Sequence, residues 1–403
     1  MRYLTQELLR LLAEERKMAF VAGPRQVGKT TLVRHLLERA GQADNYFNWD
    51  VESHRKAVLH DPEGFWTAPS SARARIALDE IHKYPRWKRF LKGLYDAAGA
   101  RTDILVTGSG RLDVYQRGGD SLLGRYGLYR LHPFTLGEML APDRAGARSP
   151  EELWRLAAPG APPPGSEQAL AQIERLTGFP EPLFSGRESR LHRWRRARHP
   201  LVIREDLRDL TRIRDIGLVE ALAALLPERV GSPLSLNALS EDLGVAFGSV
   251  RTWVEALGRL YYLFELRPYA GRLARTLRRE AKVYLFDLTE ISDPGARFEN
   301  LVALHLLKLR DAWNDWGSGD YELHYVRDKE KREVDFLLTK SGRPYLLLET
   351  KLAAREVSPS LLYFRERLTP AYTVQLSREE PRGGAGAVPG VLRLGAAGFL
   401  SAI

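Results

Sequence analysis

Cysteine is absent from the 403 residues, which excludes disulfides and thiolate-held metals. Long apolar runs are absent too, and no stretch approaches the roughly 18 uncharged residues of a membrane span. Residues 1–17 place Leu4, Leu8, Leu9, Leu11 and Leu12 on one side of an amphipathic helix. They are interrupted by Glu7, Glu14 and Glu15, so they lack the apolar core of a secretory signal. These absences point to a cytoplasmic protein with no membrane partner. Acidic residues are the minority, with 51 Asp and Glu against 61 Lys and Arg and a formal net charge of +10. That balance favours polyanions, with nucleic acid first and an anionic surface second. The alternative is an arginine-rich composition with arginine on solvated faces. At roughly 150 residues per domain, the length suggests about two or three domains.

Short apolar runs at 18–22, 46–49, 76–78 and 104–106 alternate with helical patterns such as 31–39. That alternation predicts βαβ units and a parallel sheet. Between the first run and the first helix lies Gly23-Pro24-Arg25-Gln26-Val27-Gly28-Lys29-Thr30, followed by Thr31. It fits G-x-x-x-x-G-K-[ST] without mismatch, in a strand-to-helix context. The glycines let backbone N–H groups wrap phosphates at a helix N-terminus. Lys29 can reach the β- and γ-phosphates and Thr30 can ligate Mg²⁺, so ATP and Mg²⁺ are the expected cofactors. The run Ile76-Ala77-Leu78 ends in Asp79-Glu80. Asp79 is placed to hold Mg²⁺ through water and Glu80 to polarise the attacking water. The run 104–106 ends in Thr107-Gly108-Ser109, and Ser109 is the candidate for sensing the γ-phosphate or holding that water.

Beyond this core, residues 141–168 are rich in Pro, Gly and Ala, with Pro162, Pro163 and Pro164 in a row, and read as a linker or long surface loop. A basic stretch follows, with arginine at 187, 190, 193, 195, 196, 198, 204, 208, 212 and 214. Residues 217–266 carry the pattern of three helices and a hairpin. Ser235 is placed to cap the second helix, Gly244 to end it, and Val250, Trp253, Val254 and Leu257 recur on the third. This is the outline of a winged helix, in which Trp253 is core and Arg251, Glu255 and Arg259 lie on the third helix. The last segment predicts one helix, 298–309, and strands at 323–326, 333–339 and 345–351. Glu299 falls on the helix and Asp335 on a strand. Glu349 and Lys351 share one face of the next strand, since residues two apart in a strand point the same way. If those strands are neighbours, Asp335 joins them. Asp335 and Glu349 can then hold Mg²⁺ while Lys351 orients water against a phosphodiester.

Several phrases together resemble the prokaryotic AAA+-type ATPases that carry a conserved C-terminal half. They are Leu78-Asp79-Glu80-Ile81-His82, Leu105-Val106-Thr107-Gly108-Ser109, Gly124-Arg125, Leu131-His132-Pro133-Phe134-Thr135, Gly178-Phe179-Pro180-Glu181-Pro182, Lys282-Val283-Tyr284-Leu285-Phe286-Asp287, Phe298-Glu299-Asn300 and Glu333-Val334-Asp335-Phe336. The resemblance covers most of the chain. It departs at His82, where glutamine is usual, and in the proline-rich insert. It implies homo-oligomers in which an arginine of one subunit completes a neighbour's site, with Arg125 first and Arg117 second as candidates. It also implies that the arrangement of Glu299, Asp335, Glu349 and Lys351 is similar to the PD-(D/E)xK restriction-endonuclease-like fold, which cuts in some proteins and only binds in others.

The expected architecture is α/β throughout: a P-loop ATPase core with a parallel sheet over 1–140, a linker and helical basic region over 141–216, a winged helix over 217–281, and a nuclease-like α/β domain over 282–403. The expected activity is Mg²⁺-dependent ATP hydrolysis coupled to DNA binding, remodelling or cleavage. The alternative is a nucleotide-regulated switch whose C-terminal half only binds DNA or a protein partner.

Overall fold

The computed structural model describes residues 2–69, 73–99, 101–108, 122–141, 149–157, 161–207, 215–269, 280–353, 356–380 and 388–403. The chain divides into two compact units. One comprises Met1–His132 with Arg259–Tyr261, and the other Pro133–Gly258 with Tyr262–Ile403.

The first unit holds a five-stranded sheet of β1 (Met18–Ala22), β2 (Tyr46–Asn48), β3 (Ala74–Asp79), β4 (Thr102–Thr107) and β5 (Tyr126–Arg130), in the order β2-β3-β4-β1-β5. Every pairing is parallel. All five residues of β1 and all six of β4 are buried, the continuous apolar burial that a parallel sheet covered on both faces requires. Phe20, Ile76, Leu78, Ile104 and Val106 pack with Trp87, Leu91 and Leu94 of the helix Trp87–Ala98. Two consequences position the site. Because the strands are parallel, the C-terminal ends of β1, β2, β3 and β4 lie along one edge, where such sheets bind ligands. And β4 lies between β1 and β3, so the end of β4 sits between the glycine loop and Asp79.

The second unit is built on a seven-stranded sheet. Its strands are β6 (Leu263–Pro268), β7 (Lys282–Leu285), β8 (Tyr321–Arg327), β9 (Glu333–Lys340), β10 (Arg343–Lys351), β11 (Tyr372–Ser377) and β12 (Leu392–Gly395), ordered β12-β11-β10-β9-β8-β6-β7. Strands β8, β9 and β10 form an antiparallel meander, and β11 and β12 add in parallel. The three helices expected between 217 and 260 are Ile216–Leu225, Leu236–Asp242 and Phe247–Arg259. Ser235 caps the second by accepting from the Ala238 N–H at 3.3 Å, and Trp253 is buried. The hairpin strands that follow do not stop there. β6 pairs antiparallel with β7 and parallel with β8, so the expected boundary at 281/282 falls inside one sheet.

The stretch 141–168, expected as a linker or long surface loop, holds the helix Pro150–Leu156 and the start of the helix Ser166–Leu176, and the basic region after it is helical. Residues 149–157 and 161–200 carry the helices Pro150–Leu156, Ser166–Leu176, Pro180–Ser185 and Glu188–Pro200. Trp154 stacks on Tyr372 of β11 at 3.8 Å, and its indole N–H donates to the Tyr345 hydroxyl at 2.9 Å. Arg378 binds Glu174 and Glu167, each at 2.9 Å. Proline and glycine there separate short helices that dock on the sheet. Among the described residues, no helix is long and apolar enough to cross a membrane.

Candidate nucleotide site and a buried acidic cluster

The glycine loop follows β1 and opens into the helix Lys29–Arg39. Gly23 has φ +147°, and a Cβ there would lie 2.2 Å from the Leu131 carbonyl oxygen, so only glycine fits. Gly28 caps the helix at φ +100°. Pro24 and Val27 are buried. The Lys29 ammonium is buried and donates to the Gly23 and Pro24 carbonyls, each at 2.8 Å. The loop has a brace that the sequence reading missed: the Arg2 guanidinium donates to the Val27 carbonyl at 2.7 Å and also to the His132 carbonyl.

Asp79 ends β3 and is 3% exposed. Its Oδ2 accepts from the Thr30 hydroxyl at 2.8 Å and the Tyr46 hydroxyl at 2.6 Å. Its Oδ1 accepts from the Thr107 hydroxyl. Three hydroxyls from three elements thus fix one carboxylate. Thr107 belongs to the same motif as Ser109, the expected candidate for sensing the γ-phosphate or holding the attacking water, which lies outside the described residues. Tyr46 was read only as part of an apolar run. Its available signal is register: Tyr46 pairs with Ala77 and Asn48 with Asp79. The Arg34 guanidinium lies 4.1 Å from the Tyr46 ring centroid, on the helix that Lys29 begins. Burial, helped by Asp79, pushes the Tyr46 hydroxyl up to about 12, so it is held as a donor.

Glu80 takes a left-handed turn at φ 57°, and its N–H donates to the Thr107 carbonyl at 3.0 Å. Its carboxylate lies 3.5 Å from His82 and 3.8 Å from Lys83. Burial raises its pKa above the ordinary glutamate value, and the charge of Lys29 opposes the rise. A raised carboxylate is the stronger base. The Thr30 hydroxyl beside the Asp79 carboxylate supplies the hard oxygen pair that Mg²⁺ takes alongside substrate phosphates, so the donor set fits that ion.

Arg125 stands elsewhere. It precedes β5, its carbonyl accepts from the Met18 N–H at 2.9 Å, and its guanidinium binds Asp96 at 2.8 Å. That is the N-terminal edge of the parallel sheet, opposite the glycine loop. Arg117 lies outside the described residues.

In the second unit the expected strands are neighbours: β9 and β10 pair antiparallel with Phe336 opposite Leu348, which sets Asp335 beside Glu349. The Lys351 ammonium reaches Glu349 Oε1 at 2.6 Å. Asp335 Oδ2 accepts from the Thr350 N–H at 2.9 Å and hydroxyl at 2.7 Å. Glu299, on the helix Pro294–Asp315, accepts from the Tyr284 hydroxyl at 2.7 Å. The structure therefore brings Glu299, Asp335, Glu349 and Lys351 together. It adds two residues to which the reading gave no role. Lys282, 1% exposed, lies 2.7 Å from Glu333, 3.1 Å from Glu299 and 3.7 Å from Asp335. Burial works against its ammonium, but Glu299, Asp335 and Glu333 outweigh it and hold the pKa above the usual lysine value. Burial, with Asp335 adding, pushes both Glu299 and Glu349 up to about 7.

The basic stretch separates by burial. Arg187, Arg190, Arg193 and Arg196 are exposed, and among the described residues none of them pairs with a carboxylate. Arg198 is buried over the Phe179 ring at 4.5 Å, Arg195 donates to the Thr289 carbonyl at 2.9 Å, and Arg204 binds Glu220 at 2.6 Å. Residues 208, 212 and 214 lie outside the described residues.

Comparison with known proteins gives three family matches along the chain. Residues 15–140 match the AAA domain model, 169–289 a domain of unknown function (DUF8612), and 294–386 a second (DUF4143). Uncharacterized proteins of Mycobacterium bovis and Mycobacterium tuberculosis are each 25% identical over 354 residues, covering 84% of this chain and 71% of theirs. Among solved structures, the chain is similar to the Aeropyrum pernix Orc1 protein in complex with DNA, at 17% identity and a TM-score of 0.33 over 75% of this chain and 93% of that one. It is also similar to Bacteroides Pif1 bound to ssDNA, at 12% identity and a TM-score of 0.22 over 43% and 56%. Superpositions this loose carry no functional conclusion.

Proposed function

We propose that this chain, an ATP hydrolase through its N-terminal AAA-type P-loop domain, uses Mg²⁺-dependent turnover to change how its second unit engages DNA, and that it works in the cytoplasm. The observation that carries the reading is Asp79, fixed by Thr30, Tyr46 and Thr107 beside a glycine loop whose lysine donates to the Gly23 and Pro24 carbonyls. A phosphate chain offers Lys29 charged oxygens in exchange, and charge-assisted bonds are roughly twice as strong as neutral ones. The N–H groups of residues 25–31 are placed to wrap the phosphates, Thr30 and Asp79 would hold Mg²⁺, and Glu80 takes the proton of the attacking water. Mg²⁺, when bound, neutralises charge on the β- and γ-phosphates. Thr107 is one polar residue beside Asp79. Arg125, on the edge away from its own loop, serves a neighbouring subunit. Mixing Arg125→Ala with Glu80→Gln then restores part of the activity, whereas no recovery in confirmed mixed assemblies contradicts sharing.

The DNA reading is supported by the four exposed arginines at 187, 190, 193 and 196, none of which pairs with a carboxylate among the described residues. With about six phosphate contacts, affinity falls on the order of 10³-fold between 50 and 200 mM salt. Replacing the four with alanine flattens that dependence. A flat response in the unaltered protein, or no binding at low salt, favours the second reading, in which the partner is a protein. One observation speaks for that: Arg251 of the third winged-helix-like helix is engaged by Glu255 at 3.1 Å, and Phe247 is 45% exposed beside them.

A further inference from the structure

The helix Pro294–Asp315, the meander β8–β10, the helix Pro359–Leu368 and β11 follow one another in the order helix, three strands, helix, strand. Read as a nuclease-like fold, this unit implies a divalent metal on Asp335 and Glu349. A divalent ion needs several carboxylate oxygens that converge with lone pairs to give.

Several of the oxygens here are already engaged by cations and donors. Lys282 lies within 2.7 to 3.7 Å of one oxygen each of Glu333, Glu299 and Asp335. The second oxygen of Asp335 accepts two bonds from Thr350. The second oxygen of Glu333 accepts from Arg327 at 2.8 Å. Glu349 Oε1 is bound by Lys351, which leaves Glu349 Oε2 as a buried carboxylate oxygen of the cluster with no hydrogen bond. Among the described residues, no group of three or more His, Asp or Glu is arranged to hold a metal. Charge is nearly balanced without one, since Glu299, Glu333, Asp335 and Glu349 face Lys282, Arg327 and Lys351. Nor is the lysine free to swing out. It is rooted on β7, 1% exposed, with the Tyr325 ring centroid 5.6 Å from its ammonium.

We propose that Lys282 is a built-in cation: its ammonium occupies the centre of Glu299, Glu333 and Asp335, beside the Asp335–Glu349 pair, and supplies the positive charge a metal would bring there, so the cluster is metal-free in the working protein. It ties β7 and β9 to the helix Pro294–Asp315, and it does not cut phosphodiesters. The second unit then engages its partner by binding alone. This inference is independent of which partner that is.

The test is a Mn²⁺ titration of the nucleotide-free full chain, with free Mn²⁺ read by electron paramagnetic resonance. The unaltered protein and Asp335→Asn are expected to bind Mn²⁺ alike. A Mn²⁺ site in the unaltered protein that Asp335→Asn loses overturns the proposal. Lys282→Met, which keeps the length of the stem without its charge, is expected to bind Mn²⁺ at least about tenfold tighter, because three carboxylates lose their counter-charge. The gain should vanish in the Lys282→Met, Asp335→Asn double variant. A folded Lys282→Met with no gain also overturns it. If Lys282→Met fails to fold, the comparison of the unaltered chain with Asp335→Asn decides the matter alone.

Discussion

Two lysines beside strand-end carboxylates stand in opposite circumstances. Lys29 donates to the neutral carbonyls of Gly23 and Pro24, and the nearby acid, Asp79, is held by hydroxyls. Lys282 is surrounded by Glu299, Glu333 and Asp335. A cation that donates to neutral carbonyls gains by exchanging those bonds for phosphate. A buried cation with three anionic partners gains nothing by leaving, and removing it strands buried charge, which costs roughly 3–5 kcal/mol in comparable buried pairs. Similar residue types therefore make a site in one unit and an internal staple in the other.

The sharpest way to break this contrast is to remove each lysine. Lys29→Ala should abolish ATP turnover and weaken nucleotide binding, while folded Lys282→Met should turn over ATP at the unaltered rate. Steady-state phosphate release checks both, and turnover surviving in Lys29→Ala contradicts the site. Next in size is Glu80→Gln, which keeps Asp79 and its hydroxyl donors but removes the base. Hydrolysis should fall on the order of 10²–10⁴-fold with ATP binding retained, as equilibrium dialysis would show.

A smaller effect is expected from Tyr46→Phe, which deletes one of the two hydroxyls on Asp79 Oδ2. A hydrogen bond to a charged group is worth about 1.5–3 kcal/mol, so the Mg²⁺ concentration for half-maximal nucleotide binding should rise on the order of tenfold. Fluorescent-nucleotide titrations at varied Mg²⁺ measure this directly, and an unchanged requirement means that Tyr46 does not position Asp79.

The smallest effect belongs to the cluster. Glu349 is pushed up to about 7 by burial and by Asp335, from 4.5 in an unfolded chain. Above pH 7 both states are ionised, and the folded state bears the full cost of the buried charge, on the order of a few kcal/mol. As pH falls from 7 to 4.5 the folded state takes up the proton first and the cost fades. Glu349→Gln should therefore raise the melting temperature at pH 8 and leave it nearly unchanged at pH 4.5. A gain that is equal at both pH values contradicts the assignment.

The nucleotide site was legible because its chemistry is local. Gly23 to Thr30 is contiguous, and Asp79-Glu80 follows an apolar strand, so one motif and one strand ending placed Lys29, Thr30, Asp79 and Glu80. What escaped was non-local. Tyr46 reaches Asp79 through the parallel pairing of β2 and β3, and Arg2 reaches Val27 across the fold, so neither leaves a periodic trace. The C-terminal acids were legible from the alternation of strand residues, which put Glu349 and Lys351 on one face. Glu333 obeys the same rule with Asp335. Lys282 does not, because β7 is not hydrogen-bonded to β9 and only the folded sheet brings it to the acids. In the proline-rich stretch only the short helix Pro150–Leu156 forms before Ser166, and proline and glycine mark breaks between helices as readily as loops.

The most direct test of the whole contrast is a metal count on the full chain with a non-hydrolysable ATP analogue and Mn²⁺. The account predicts a single nucleotide-dependent Mn²⁺ per chain, lost in Asp79→Ala and untouched in Asp335→Asn. A second Mn²⁺ that Asp335→Asn removes, or nucleotide bound with no Mn²⁺ at all, would contradict it.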